Sequence, residues 1–184
     1  ALMKLAWQEL QSSLKIEDAK PLSRYLGCTY TKEGRDLVFN MEDLLKDCVK
    51  RYLECVSSLE DSKHNRRLKT LRHVETPSIH ERKDDTLPVT LEEYLVYDGD
   101  VDKEGVLCDK ALSVLMKCLY AARLARPDLQ YCIGKLARKV HCWTRQDDMK
   151  LLRVVEYINS STGLRLRGRM PKSADHIKVV MYVD

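Results

Sequence analysis

No apolar run in this chain is long enough to cross a bilayer, and no signal-peptide pattern opens it. A membrane partner is therefore not expected, and the expected setting is intracellular, cytoplasmic or nuclear. The short motifs that announce common chemistries are missing too. There is no nucleophile elbow, no P-loop and no dinucleotide-binding glycine fingerprint. The histidines, His64, His73, His80, His141 and His176, have neither ligand nor triad spacing. No two of the seven cysteines (Cys28, Cys48, Cys55, Cys108, Cys118, Cys132 and Cys142) are spaced C-x-x-C, and an odd number cannot all pair. Most sit among apolar neighbours at helical spacing, as Cys48 and Cys118 do. They read as small core residues in a reducing compartment. A zinc site at His141 and Cys142 is disfavoured, because adjacent ligands at a helix end point apart. There are no internal repeats.

Charge of one sign is lacking as well. Thirty-two basic residues against 28 acidic ones leave a net charge of +4. That permits a nucleic-acid partner, but a dedicated DNA-binding domain is usually more lopsided. A hydrophobic content of 44% is ordinary for a globular chain and sufficient for a core. A length of 184 residues predicts one domain or two small ones. The sequence begins at Ala1 rather than Met, as expected of an excised or trimmed fragment.

Periodicity predicts an α+β fold with a helix-dominated second half. Leu2, Leu5, Ala6, Leu10 and Leu14 form one helical stripe. Ser23–Tyr30 and Leu37–Phe39 flank Thr31–Asp36, a hairpin with a glycine-containing turn. Met41–Val56 is the cleanest helix: Leu44, Leu45, Cys48, Val49, Tyr52, Leu53 and Val56 share a face, and Asn40 is a plausible N-cap. Ser57–Pro88 carries many charges and almost no apolar periodicity, so it reads as a long, partly mobile surface segment with exposed histidines. Thr90–Tyr97 is open between helix and strand, and Asp98–Asp100 marks a turn. Leu112, Leu115, Cys118, Leu119 and Ala122 form the next stripe. Pro127, with Asp128 behind it, opens a helix burying Leu129, Ile133, Leu136, Ala137 and Val140. Thr144 caps another, burying Met149, Leu152, Val155 and Ile158 until Gly163 stops it. Gly163–Gly168 and His176–Asp184 read as strands around a Met-Pro-Lys-Ser turn. The expected divisions are 1–57, 58–106 and 107–184.

Two groups of charges invite a functional reading. Lys135, Arg138 and Lys139 lie on the polar side of the helix opened by Pro127, with Arg123 and Arg126 before it and Arg145 after it. This is either a solvated face or a rail of phosphate contacts, since Lys and Arg neutralise a backbone without reading sequence. Arg165, Arg167 and Arg169 alternate along a strand and share one face, as a second phosphate row or as protection of an edge strand. Asp147 and Asp148 look like a carboxylate pair, but they open a helix behind Thr144, where acids suit the dipole.

The chain resembles the region downstream of the polymerase active site in copia-type retrotransposon reverse transcriptases. Trp7-Gln-Glu-Leu10 through Tyr25-Leu-Gly27 looks like the family's helix and following strand, and Thr76-Pro77 like its loop closure. Tyr120, Arg126-Pro-Asp128, Tyr131, Gly134, His141, Thr144, Arg153, Tyr157 and Gly163-Leu164 then fall at family spacing. The chain departs from the family at Met41 and Leu44, where Gln and Tyr are usual, and at Met116, where Gly is usual. The resemblance implies a palm-end and thumb-like helix–hairpin–helix, a charged linker, and a connection-like part leading into the first RNase H strand. The family's Tyr-x-Asp-Asp carboxylates precede the matched blocks. Met181-Tyr-Val-Asp184 resembles the opening RNase H strand, with Asp184 the first of several carboxylates that hold Mg²⁺ in the full-length enzyme. The chain itself would have no complete catalytic site. The implied partner is a template–primer duplex or RNA–DNA hybrid. The competing expectation is a retained retroelement segment serving neighbouring protein subunits in assembly.

Overall fold

In this computed structural model the described residues are 2–15, 23–78, 103–169 and 171–172. Among them are six α-helices and one four-stranded antiparallel sheet, a mixed α+β architecture. In chain order the elements are α1 (Leu2–Ser13), β1 (Arg24–Tyr25), β2 (Cys28–Glu33), β3 (Asp36–Asn40), α2 (Glu42–Ser57), α3 (Lys63–Leu68), α4 (Cys108–Leu124), α5 (Gln130–Ala137), α6 (Arg145–Ser160) and β4 (Leu166–Arg169). Short 3-10 turns at Pro127–Leu129 and Val140–Cys142 lead into α5 and out of it. No helix among the described residues is long and apolar enough to cross a membrane.

The hairpin is tighter than its sequence suggests. Glu33 pairs with Asp36, so the loop shrinks to Gly34 and Arg35, and Thr31, Lys32 and Glu33 join the strand. Gly34 supplies the positive φ (+62°) that a two-residue hairpin turn demands. Tyr30 and Phe39 stand opposite each other in register and meet edge to face at 5.2 Å between centroids. A second turn, Leu26 and Gly27 with φ of 49° and 81°, joins β1 to β2. Leu26 is an unusual residue for that conformation, and the Tyr120 hydroxyl on α4 donates to its carbonyl at 2.6 Å. The sheet order is β1-β2-β3-β4, and β4 returns from the far end of the chain to pair with β3, Phe39 against Leu166. The strand expected over Gly163–Gly168 starts only at Leu166, leaving Arg165 outside it.

The main core lies between α2, α4, α5 and α6. Of the predicted face of α2, Leu45, Cys48, Val49, Tyr52 and Val56 are buried, Leu44 is half-buried and Leu53 is exposed; Cys55 is buried as well. The N-cap is Met41 and not Asn40 as expected, because the helix starts at Glu42; the Asn40 side chain still accepts from the Glu42 N–H at 2.9 Å. In α4 the buried stripe is Ala111, Val114, Leu115, Cys118, Ala121 and Ala122. Leu112, expected inside, is 46% exposed. The helix is rotated because α2 and α5 close on it from both sides, and its small residues allow that approach. In α5 the inward residues are Cys132, Ile133 and Leu136, with Leu129 buried just before it; Ala137 and Val140 are only half-buried. The α6 helix buries the four predicted residues and also Leu151, Val154, Asp147, Asp148 and Glu156. Its end does not depend on Gly163, which is not left-handed; Ser161 caps it, donating N–H to the Ile158 carbonyl. Cys28, Cys48, Cys55, Cys118 and Cys132 are buried free thiols, whereas Cys142 is exposed.

The largest correction falls within the segment read as mobile surface. Residues 63–68 form α3, N-capped by Ser62, whose hydroxyl accepts from the Asn65 N–H. His64, Asn65, Arg67 and Leu68 are buried, and so is Val74. His64 is therefore not exposed as its charged surroundings suggest; His73 is exposed. Apolar periodicity misses this helix because most of its buried residues are polar, and the partners of His64 and Arg67 lie on α6. The stripe foreseen in α1 also departs: Leu5, Leu10 and Leu14 are exposed. His80, His176, Thr90–Tyr97, the Asp98–Asp100 turn and the final strand with Asp184 lie outside the described residues.

The rotation of α4 sets a stability order. Leu115→Ala should cost about 2–5 kcal/mol by leaving a cavity, and Leu112→Ala within about 0.5 kcal/mol. Urea unfolding at low protein concentration checks this. A larger loss at Leu112 would restore the orientation read from the sequence.

Candidate functional site

Three buried acids on α6 organise the centre of the protein. Asp148 is fully buried and takes four donors: the backbone N–H of Val106 at 2.8 Å and of Leu107 at 3.1 Å, the Trp143 indole Nε1 at 2.8 Å, and His64 Nε2 at 3.2 Å. Its neighbour Asp147 closes a capping box, accepting from the Thr144 N–H and hydroxyl. The two carboxylates therefore serve different partners. Glu156, two turns on, accepts from Arg67 Nη2 at 2.8 Å and from the Arg72 N–H at 3.1 Å. Arg67 also donates to the Thr70 carbonyl. The Tyr52 hydroxyl donates to the Leu68 carbonyl, and burial pushes that hydroxyl far above its ordinary pKa. A network in which every carboxylate is engaged this way fixes one arrangement, since each member left alone would carry a large desolvation cost.

Gly105 is where this network admits no side chain. Its N–H donates to the Trp143 carbonyl, while Glu104 bridges to Thr144. A Cβ there would stand 2.5 Å from Trp143 Cδ1 and 2.6 Å from the Thr144 carbonyl oxygen.

The Arg126-Pro-Asp128 motif forms a second polar cluster. Arg126 holds Asp128 with two parallel bonds, Nε to Oδ1 at 2.9 Å and Nη2 to Oδ2 at 2.8 Å. Its Nη1 donates to the Ser161 carbonyl, tying the start of α5 to the end of α6. The Tyr157 hydroxyl donates to Asp128 Oδ2, and its ring lies 5.4 Å from the guanidinium carbon. Burial opposes ionisation of Asp128, but the Arg126 hydrogen bonds and charge, with the Tyr157 bond, outweigh it and hold the carboxyl below its ordinary value. Nearby, Arg153 grips Thr76 through both its carbonyl and hydroxyl.

This geometry sorts the basic residues predicted to meet phosphate. Arg126 is only 2% exposed and fully engaged inside the protein, so it leaves the rail. Lys135 and Arg138 sit at the end of α5, Lys139 follows them, and Arg145 opens α6. Arg138 is exposed, while Lys135, Lys139 and Arg145 are half-buried; Lys139 lies 3.5 Å from Asp147. Arg123 is on the outer side of α4. Just before β4, Arg165 binds Glu42; within it, Arg167 binds Glu33 and Arg169 binds Asp36. Those three therefore lace the returning strand to the hairpin and its following helix, although Arg167 and Arg169 remain exposed. Among the described residues no group of three or more His, Cys, Asp or Glu is placed to hold a metal ion. His141 and Cys142 are exposed on the 3-10 turn.

Sequence reasoning misses His64, Arg67, Gly105, Trp143 and Glu156. One signal is available: Glu156 falls seven residues after Met149 and four after Leu152, on the apolar stripe itself, where a charge implies a buried partner. No family model, no curated protein and no solved structure matches the chain.

Gly105→Ala should destabilise the protein by roughly 1–3 kcal/mol, lowering its thermal midpoint by several degrees, because two of the obstructing contacts are a packed indole and a backbone carbonyl. A midpoint unchanged in calorimetry would mean that this approach is not constrained. Acid should weaken the fold in a definite window. The carboxyls of Asp128, Asp36 (through the Arg169 hydrogen bond) and Glu42 (through the Lys46 hydrogen bond) all sit below their ordinary values. Their stabilisation is present above the unfolded-state values of about 4 and disappears as pH falls through the depressed ones. The midpoint should fall below about pH 4, and Asp128→Asn should flatten that limb. Parallel limbs in parent and variant would remove Asp128 from the account.

Proposed function

We propose that this chain is a post-active-site portion of a copia-type reverse transcriptase that grips template–primer nucleic acid without sequence preference and without catalysing a reaction alone. The carrying observation is the group Lys135, Arg138, Lys139 and Arg145, presented between α5 and α6 on a scaffold fixed by buried polar contacts. An enzyme that slides along any template needs such backbone contacts. The family reading is supported by contacts between the residues that carry the resemblance: Tyr120 with Leu26, Arg153 with Thr76, and Arg126 with Asp128 and Tyr157. In the full-length enzyme Mg²⁺ would serve the catalytic carboxylates, Asp184 among them; the RNA–DNA hybrid or duplex would be the partner and the cytoplasm or nucleus the setting. A second reading, a retained retroelement module for protein assembly, is favoured by exposed apolar residues on α4 and by Tyr131, 72% exposed.

The two readings separate in a salt titration. Binding of an RNA–DNA hybrid and of duplex DNA should weaken steeply with salt. The triple variant Lys135→Ala/Arg138→Ala/Lys139→Ala should lower the log–log slope on duplex DNA by about 0.9 for each phosphate it no longer neutralises, equally across sequences. An unchanged slope in the folded variant would make this face solvated surface only. Absence of hybrid binding by the folded parent at low salt would favour the assembly module.

A further inference from the structure

The outer side of α4 is apolar where a solvated helix face should be polar. Leu112, Met116 and Tyr120 succeed one another at intervals of four residues and are 46%, 43% and 39% exposed. They lie opposite the buried stripe of Ala111, Val114, Leu115, Cys118, Ala121 and Ala122. Lys110, Ser113 and Lys117 mark a different side, where they reach Ser58, Arg51 and Asp47 on or next to α2. The apolar row continues past Tyr120 onto the β1–β2 turn, since the Tyr120 hydroxyl bonds to Leu26, itself 57% exposed beside an exposed Tyr25.

The row is bounded by opposite charges. Asp109 lies at its N-terminal end and Arg123 at its C-terminal end, both exposed and neither in an ion pair among the described residues. The order Asp109, Leu112, Met116, Tyr120, Arg123 is symmetric about Met116: Leu112 and Tyr120 are each four residues away, and Asp109 and Arg123 are each seven. At a rise of about 1.5 Å per residue, the charges stand roughly 21 Å apart with the apolar residues between them.

We infer that this face binds a second copy of the same chain, with the two α4 helices crossing antiparallel on a twofold axis at Met116. An isologous contact requires a patch complementary to itself under a twofold rotation. Rotation about Met116 lays Leu112 against Tyr120 of the other copy and Asp109 against its Arg123, twice over. The helix dipoles also run in opposite directions in that arrangement. An unrelated partner would not require this symmetry. The interface is small, a few apolar side chains with two rim ion pairs, so it belongs to the weak class. It is independent of the proposed nucleic-acid grip, which uses residues of α5 and α6; only Arg123 was a candidate for both, and here it faces the other copy.

Sedimentation equilibrium on the full chain tests this without nucleic acid. The mass should rise from 21.4 kDa toward twice that value, with the transition at micromolar or higher concentration, on the order of 10–500 µM. Asp109→Arg and Arg123→Asp should each weaken association about tenfold or more, because each substitution places like charges together at both ends. The double variant Asp109→Arg/Arg123→Asp should recover most of the affinity. Met116→Asp should abolish association while leaving the circular dichroism spectrum unchanged. In a Cys142→Ser background, Met116→Cys should give a disulfide-linked dimer under mild oxidation. A monomer at all concentrations overturns the inference and leaves the face to a different protein. A dimer whose two single charge variants are not rescued by the double variant overturns the antiparallel arrangement.

Discussion

The constraint on which the rest of the structure depends is that α6 carries three acids into the core. A carboxylate removed from water without partners is very costly, so each acid dictates where other chain segments must go. Asp148 draws in α3 through His64, the 105–107 approach through two backbone N–H groups, and Trp143 through its indole. Glu156 draws in the other end of α3 through Arg67 and the segment leaving it through the Arg72 N–H. Asp147 fixes the start of the helix that bears all three. Segments more than 80 residues apart in the chain are positioned by these bonds as well as by apolar burial. Apolar contacts alone tolerate sliding; a polar set engaged in this way does not.

The same logic repeats at the periphery in weaker form. Arg126 clamps Asp128 and the end of α6, setting the angle at which α5 leaves. The arginines of β4 and the residue before it pair with acids of the hairpin and α2, holding a returning strand against a sheet with little core beneath it. Solvent reaches Arg167 and Arg169 and screens their pairs, so these contribute little individually. The rigid centre is therefore helical and polar-pinned, and the sheet is an appendage joined by ion pairs and a small apolar cluster around Cys28, Met41 and Ala125. The surfaces proposed to meet partners lie where these commitments end: the basic group between α5 and α6, and the unburied side of α4.

Much of the local structure is readable directly from the residues. The α2 helix is legible from its period, α6 from its Thr144 cap and acidic first turn, and the hairpin from its glycine turn. The Arg126-Pro-Asp128 motif is visible too, although its purpose is not: Arg126 reads as a phosphate contact and is buried. Nothing local distinguishes an arginine that meets solvent from one whose acid stands two residues on and whose second partner is 35 residues away. The α3 helix escapes notice for a related reason. Its inward residues include His64, Asn65 and Arg67, which periodicity counts as polar, so its burial cannot be inferred without Asp148 and Glu156 in place.

By itself the sequence determined the secondary structure of the strongly periodic segments, the α+β class, the unpaired character of the cysteines and the presence of a basic group near α5. Helix period, capping chemistry and turn glycines act within a few residues, so they are written in consecutive letters. Tertiary structure alone decided which side of α4 faces inward, that Gly105 must lack a side chain, which arginines are engaged inside the protein, and that α3 is core. Each of those outcomes depends on a partner many residues distant, and the free energy that fixes it, desolvation balanced against a bond, exists only once both partners are brought together.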